Sequence, residues 1–102
     1  MKRTESPSRK GDLAEYYAVT WLWDNGYEVF QNAGCNGPID MIAMDNKGEM
    51  ILIDVKTALS DSRNVESFHS HKGRTEEQIK LGVKILLFIP NKRELRFVEH
   101  KE

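Results

Sequence analysis

Gly37-Pro38-Ile39-Asp40-Met41-Ile42-Ala43-Met44, then Asp45-Asn46-Lys47-Gly48-Glu49, then Met50-Ile51-Leu52-Ile53-Asp54-Val55-Lys56: this stretch decides the fold. Two apolar strands, Ile39 to Met44 and Met50 to Lys56, flank a short polar segment rich in turn residues, which reads as a β-hairpin. A three-residue loop, Asn46-Lys47-Gly48, places Gly48 at the position that needs a left-handed backbone. Counting outward, Asp45 then faces Glu49, Met44 faces Met50, Ile42 faces Leu52 and Asp40 faces Asp54. Facing residues share one side of the sheet with Cβ atoms about 4.5–5.5 Å apart. Lys56, two residues beyond Asp54, shares that side.

Two aspartates opposite one another repel unless one is protonated or a cation lies between them. Both sit in apolar strands, where an unpaired charge costs several kcal/mol, on the order of what a small domain has in reserve. A hard divalent ion such as Mg²⁺ resolves the conflict through oxygen ligands. The alternative is a two-residue loop, which shifts the register and sends Asp40 and Asp54 to opposite faces. Asp54 is then simply the ion-pair partner of Lys56, as structural carboxylates often are.

Upstream, Ser6-Pro7 reads as a helix start, with Ser at the cap and Pro at the first helical position; Gly11 leaves open a later start with Asp12 in the first turn. Leu13 to Asn25 carries one stripe of Ala14, Ala18 and Leu22 beside another of Leu13, Tyr17 and Trp21, and Gly26 ends it. Trp21 and Trp23 differ by two, so they cannot both face the sheet. Glu15 lies next to the alanine stripe. It is either an exposed helical glutamate or a third acid converging on the aspartate pair. Tyr27 to Phe30 reads as a strand, followed by a loop containing Gly34, Asn36 and Gly37.

Downstream, residues 57–73 are polar and aperiodic, a long mobile loop of the kind that is functional in small domains. Thr75 caps a short helix from Glu76 to about Leu81, ended by Gly82. Val83 to Ile89 reads as a strand buried on both faces, and Glu94 to Val98 alternates as a last strand. The element order is helix, three strands, helix, two strands. It describes a single α/β domain over residues 1–102, with residues 1–5 as a tail.

Composition narrows the classes. The chain has 102 residues, 39% hydrophobic and 30% charged, which excludes disorder from end to end. No apolar run is long enough to span a bilayer, and the N-terminus has no signal-peptide core. A single cysteine, Cys35, excludes an internal disulfide and fits a reducing, cytoplasmic setting. In its glycine-rich loop Cys35 reads as a small filler, since no histidine base is placed beside it. The net charge of −1 excludes a generic polycation.

Gly11-Asp12-Leu13-Ala14-Glu15, Gly37-Pro38-Ile39-Asp40 and Asp54-Val55-Lys56, in this order, resemble the PD-(D/E)XK nuclease superfamily over nearly the whole chain. Asp-x-Lys alone is weak; a Glu, an Asp about 25 residues later and Asp-x-Lys across a hairpin are far more specific. Ile39 separates Pro38 from Asp40, a spacing that relatives tolerate. Among small members the chain is similar to Holliday-junction resolvases, virus-type replication-repair nuclease domains and intron-encoded endonucleases. The resemblance implies a restriction-endonuclease-like αβββαβ core with a mixed central sheet flanked by helices.

It also implies roles. Asp40 and Asp54 hold Mg²⁺, for which Mn²⁺ substitutes, with help from the Val55 carbonyl. Glu15 holds or orients a second ion or a water. Lys56 positions the attacking water or steadies charge on the phosphate, and Gln78 orients Lys56 or a water. The implied activity is metal-dependent hydrolysis of phosphodiester bonds in structured or branched DNA. The alternatives are a site-specific or nicking endonuclease of the same fold and an inactive nucleic-acid-binding module. A symmetric junction needs two active sites, so a homodimer is expected. A viral or mobile-element origin fits the compact form.

Arg9, Lys10, Arg63, His69, His71, Lys72 and Arg74 could contact phosphates, or be part of a solvated surface. His69 and His71 as metal ligands are disfavoured by the lack of other imidazole or thiol groups nearby.

Overall fold

The computed structural model describes residues 7–34, 36–58 and 73–99. Helix α1 (Pro7–Asp24) starts at the expected proline; Ser6, the expected cap, lies outside the described residues. The helix ends where Gly26 adopts φ +88°. There the Gly26 N–H donates to the Trp23 carbonyl and the Tyr27 N–H to the Leu22 carbonyl, each at 3.0 Å, which closes the last turn. Tyr27 is thus spent on the helix end, and strand β1 (Glu28–Gln31) begins one residue later than the sequence suggests.

Strands β2 (Met41–Met44) and β3 (Met50–Thr57) form the expected hairpin, with Gly48 at φ +87°. The Asp45 carboxylate accepts from the Lys47 and Glu49 N–H groups at 2.8 and 3.0 Å, which pins the turn. Met44 pairs with Met50 and Ile42 with Leu52, so the three-residue loop sets the register. Helix α2 (Glu76–Leu81) lies in the connection to β4 (Lys84–Ile89), which runs parallel to β3, and β5 (Glu94–Phe97) returns antiparallel. The result is an α/β fold with a mixed five-stranded sheet in chain order, β1-β2-β3-β4-β5.

One sheet face carries the main core. Ala14, Ala18, Val19 and Leu22 of α1 pack on Met41, Ala43, Ile53, Leu86, Phe88 and Leu95. The alanines let the helix approach the sheet closely, because a larger side chain there has nowhere to go. Tyr17 stacks on Phe88 with centroids 5.0 Å apart, and Arg93 lies over the Tyr17 ring at 5.2 Å. Trp21 packs edge-on against Phe97, whereas Trp23 is 60% exposed, so one tryptophan faces the sheet and the other does not. Because side chains alternate along β3, Ile53 and Val55 point into this core while Asp54 and Lys56 point to the other face. Among the described residues no helix is long and apolar enough to cross a membrane.

Phe88 is fully buried and is the largest such side chain among the described residues. Phe88→Ala removes a ring and leaves a cavity between helix and sheet, at a cost of about 3–5 kcal/mol. Urea denaturation is expected to show that loss as a lower midpoint with an unchanged slope.

Candidate active site

The site forms where the hairpin opens. β2 pairs with β3 only as far as Met41 opposite Ile53, whereas β3 continues through Thr57 against β4 alone. The β3 edge from Asp54 onward therefore has no β2 strand beside it. Asp40 sits immediately before β2, and its N–H donates to the Ile53 carbonyl at 2.8 Å. Its carboxylate Oδ2 accepts from the Val55 N–H at 2.7 Å, in place of a ladder partner. The Asp40 and Asp54 carboxyl groups lie near enough for the charge of Asp54 to act on Asp40. The face-to-face acids expected from the register are thus brought together.

Asp54 is buried, 8% exposed, and its Oδ2 gathers two donors. Lys56 Nζ lies 3.2 Å away and Gln78 Nε2 also 3.2 Å away. Gln78, likewise buried, donates through the same nitrogen to the Pro38 carbonyl at 2.9 Å, while its Oε1 accepts from the Thr75 N–H at 3.0 Å. The amide orientation follows from these partners, since a flipped amide would set oxygen against oxygen. Gln78 thus reaches the site, but through Asp54 and Pro38 rather than through Lys56.

Glu15 is partly buried on α1 and feels both aspartates electrostatically. Burial first, then the charges of Asp12 and Asp54, raise its pKa above the ordinary value. It is not drawn into contact: among the described residues no three His, Cys, Asp or Glu side chains form a metal-sized cluster. For Val55 the structure places the N–H in the site. Arg9 is exposed at the start of α1, and Arg74 Nη1 donates to the Val83 carbonyl at 3.3 Å, which ties it to the β4 entry. Arg63, His69, His71, Lys72, Cys35 and the Lys10 side chain lie outside the described residues.

The segment before Asp40 holds what the sequence did not announce. β2 begins at Met41 rather than Ile39 because the Pro38 and Ile39 carbonyls are taken by side-chain amides. The second amide is Asn32, just after β1; its pairing with a neighbouring glycine turn was the available signal.

Burial, chiefly, pushes the Asp40 carboxyl up to about 6, against the pull of the Val55 N–H; the neighbouring Asp54 carboxyl and the charge of Glu15 add to the rise. Two adjacent carboxylates, one reluctant to ionise, suit a cation bound by oxygen. Mg²⁺ is held by one or two carboxylates plus water and phosphate rather than by a full protein cage, and this donor set fits it.

No protein-family model and no curated protein matches the chain. In structure it is similar to a bacterial homing endonuclease, I-Ssp6803I, with a TM-score of 0.69 and 14% identity, over 91% of this chain and 68% of that one. At this identity the likeness establishes the fold.

The raised Asp40 pKa has a definite sign. The folded chain holds the proton more tightly than the unfolded chain, so the associated stability is complete below the ordinary value of 3.8. It is lost as pH rises to about 6 and beyond. In chelator, the urea midpoint of the wild type measured against that of Asp40→Asn is expected to fall across this window. A flat difference between the two proteins would show that Asp40 ionises normally.

Proposed function

We propose that the chain is a metal-dependent endonuclease of the PD-(D/E)XK type that hydrolyses DNA phosphodiester bonds. The observation that carries this reading is the Asp40–Asp54–Lys56 constellation at the point where β2 and β3 part. The fold shared with a homing endonuclease supports it. Asp40 and Asp54 hold Mg²⁺ or Mn²⁺, with the Val55 carbonyl as a further oxygen donor. The ion supplies Lewis acidity and a water of lowered pKa at neutral pH.

Lys56 carries the positive charge of the site. Its ammonium, anchored on Asp54, donates to the attacking water or to the phosphate oxygens as their charge grows. Glu15 accepts a hydrogen bond from a water at the edge of the site and orients it. Gln78 keeps Asp54 in place. Arg9, Lys10, Arg63, His71, Lys72 and Arg74 are the candidates for phosphate contacts along the DNA.

The homing endonuclease neighbour is consistent with site-specific cutting, the alternative to resolution of branched DNA. Either substrate, if two-fold symmetric, calls for a homodimer.

Cleavage assays on linear duplex, four-way junctions, flaps and single strands, with and without Mg²⁺, decide between these substrates. Lys56→Ala is expected to lower the cleavage rate by at least about 100-fold, the scale of losing one transition-state donor, with DNA affinity within a few-fold of wild type. Binding without cleavage by the wild type in both Mg²⁺ and Mn²⁺ would instead identify an inactive binding module.

A further inference from the structure

Asn32 makes more contacts with the Asp40 segment than any role in strand pairing requires. Its Nδ2 donates to the Asn36 carbonyl at 2.7 Å and to the Ile39 carbonyl at 2.9 Å. Its Oδ1 accepts from the Gly34 N–H at 3.0 Å, and its own N–H donates to the Asp40 carbonyl at 2.9 Å.

Two of these bonds grip the peptide planes on either side of the Asp40 Cα. The Ile39 carbonyl and the Asp40 N–H are opposite ends of one planar peptide unit. Asn32 Nδ2 holds the first end and the Ile53 carbonyl holds the second. The next unit is held at the Asp40 carbonyl by the Asn32 N–H. With both planes fixed, the Asp40 backbone angles are fixed, and so is the direction of its Cα–Cβ bond. That direction sends the carboxylate to the Val55 N–H and to Asp54.

We infer that Asn32 is a positioning residue that sets the Asp40 carboxylate for metal binding. The metal half of this inference rests on the nuclease reading; the orienting of Asp40 does not. Asn32 touches no reacting atom in this scheme and acts only through the Asp40 backbone. Partners one step behind a metal ligand typically change metal affinity by about 10–100-fold when removed.

The test uses the full chain with Asn32→Ala and, to guard against misfolding, the milder Asn32→Ser. Leu95→Ala serves as a destabilised control, since Leu95 is buried in the main core away from this loop. The first readout is metal-free: amide hydrogen exchange at Val55, whose N–H is held by the Asp40 carboxylate. In both Asn32 variants exchange at Val55 is expected to quicken about tenfold more than at Ile53 and Leu86, whereas Leu95→Ala quickens all of them alike. The second readout is Mn²⁺ binding by calorimetry, expected to weaken about tenfold in the Asn32 variants and to be unchanged in the control. Unaltered exchange at Val55, or a uniform change across the sheet, overturns the positioning role whatever the chain does to DNA. A wild type that neither binds Mn²⁺ nor cleaves DNA overturns the nuclease reading and the metal half of the inference, while the exchange at Val55 still decides whether Asn32 orients Asp40.

Discussion

Two carboxyl groups held side by side in a half-buried sheet constrain everything around them. At about 4 Å and an effective dielectric constant of about 20, two such charges repel by about 4 kcal/mol. A domain this small is held together by about 5–15 kcal/mol in all. The chain relieves the repulsion at both acids. Asp40 has a pKa near 6 and a hydrogen bond from the Val55 N–H, and Asp54 has an ammonium and an amide. Such a pair serves no packing purpose that two apolar residues could not serve better.

The sheet creates room for this pair by ending one pairing early. β3 is the longest strand, with eight residues, and β2 covers only its first half. Past Ile53 the exposed edge of β3 would present an unmet Val55 N–H, and the Asp40 carboxylate meets it. An edge group that would be a liability in a plain sheet becomes the anchor of the site. On the far side β4 continues in parallel and is almost wholly buried, so the half-paired strand still has one rigid neighbour. The helix α1 closes the opposite face through Ala14 and Ala18 and brings Glu15 within electrostatic range.

What was legible in the sequence is what lies on regular elements. The hairpin register follows from Gly48 and from alternation, and it puts Asp40, Asp54 and Lys56 on one side of the sheet. The order of strands and helices followed from Gly26, Thr75, Gly82 and the two apolar stripes of α1. The approach of Glu15 was only half legible, because helical spacing says which face a residue shares and not how far a neighbouring acid lies. The late start of β2 was not legible at all. It depends on Asn32 and Gln78 taking the Ile39 and Pro38 carbonyls, and Gln78 reaches Pro38 across 40 residues of sequence. No period reports a bond of that kind.

Gln78 also joins two levels of organisation in one amide. Its Oε1 and backbone N–H complete the reciprocal cap with Thr75, and its Nε2 holds Asp54 and the Pro38 carbonyl. A helix of six residues has little stability of its own in water, so α2 depends on such tertiary bonds to exist. The dependence runs both ways. Fraying of α2 withdraws a donor from Asp54 and frees the Pro38 carbonyl at the same moment. The shorter of the two described helices is therefore ordered by the bonds it makes to Asp54 and to the segment before Asp40.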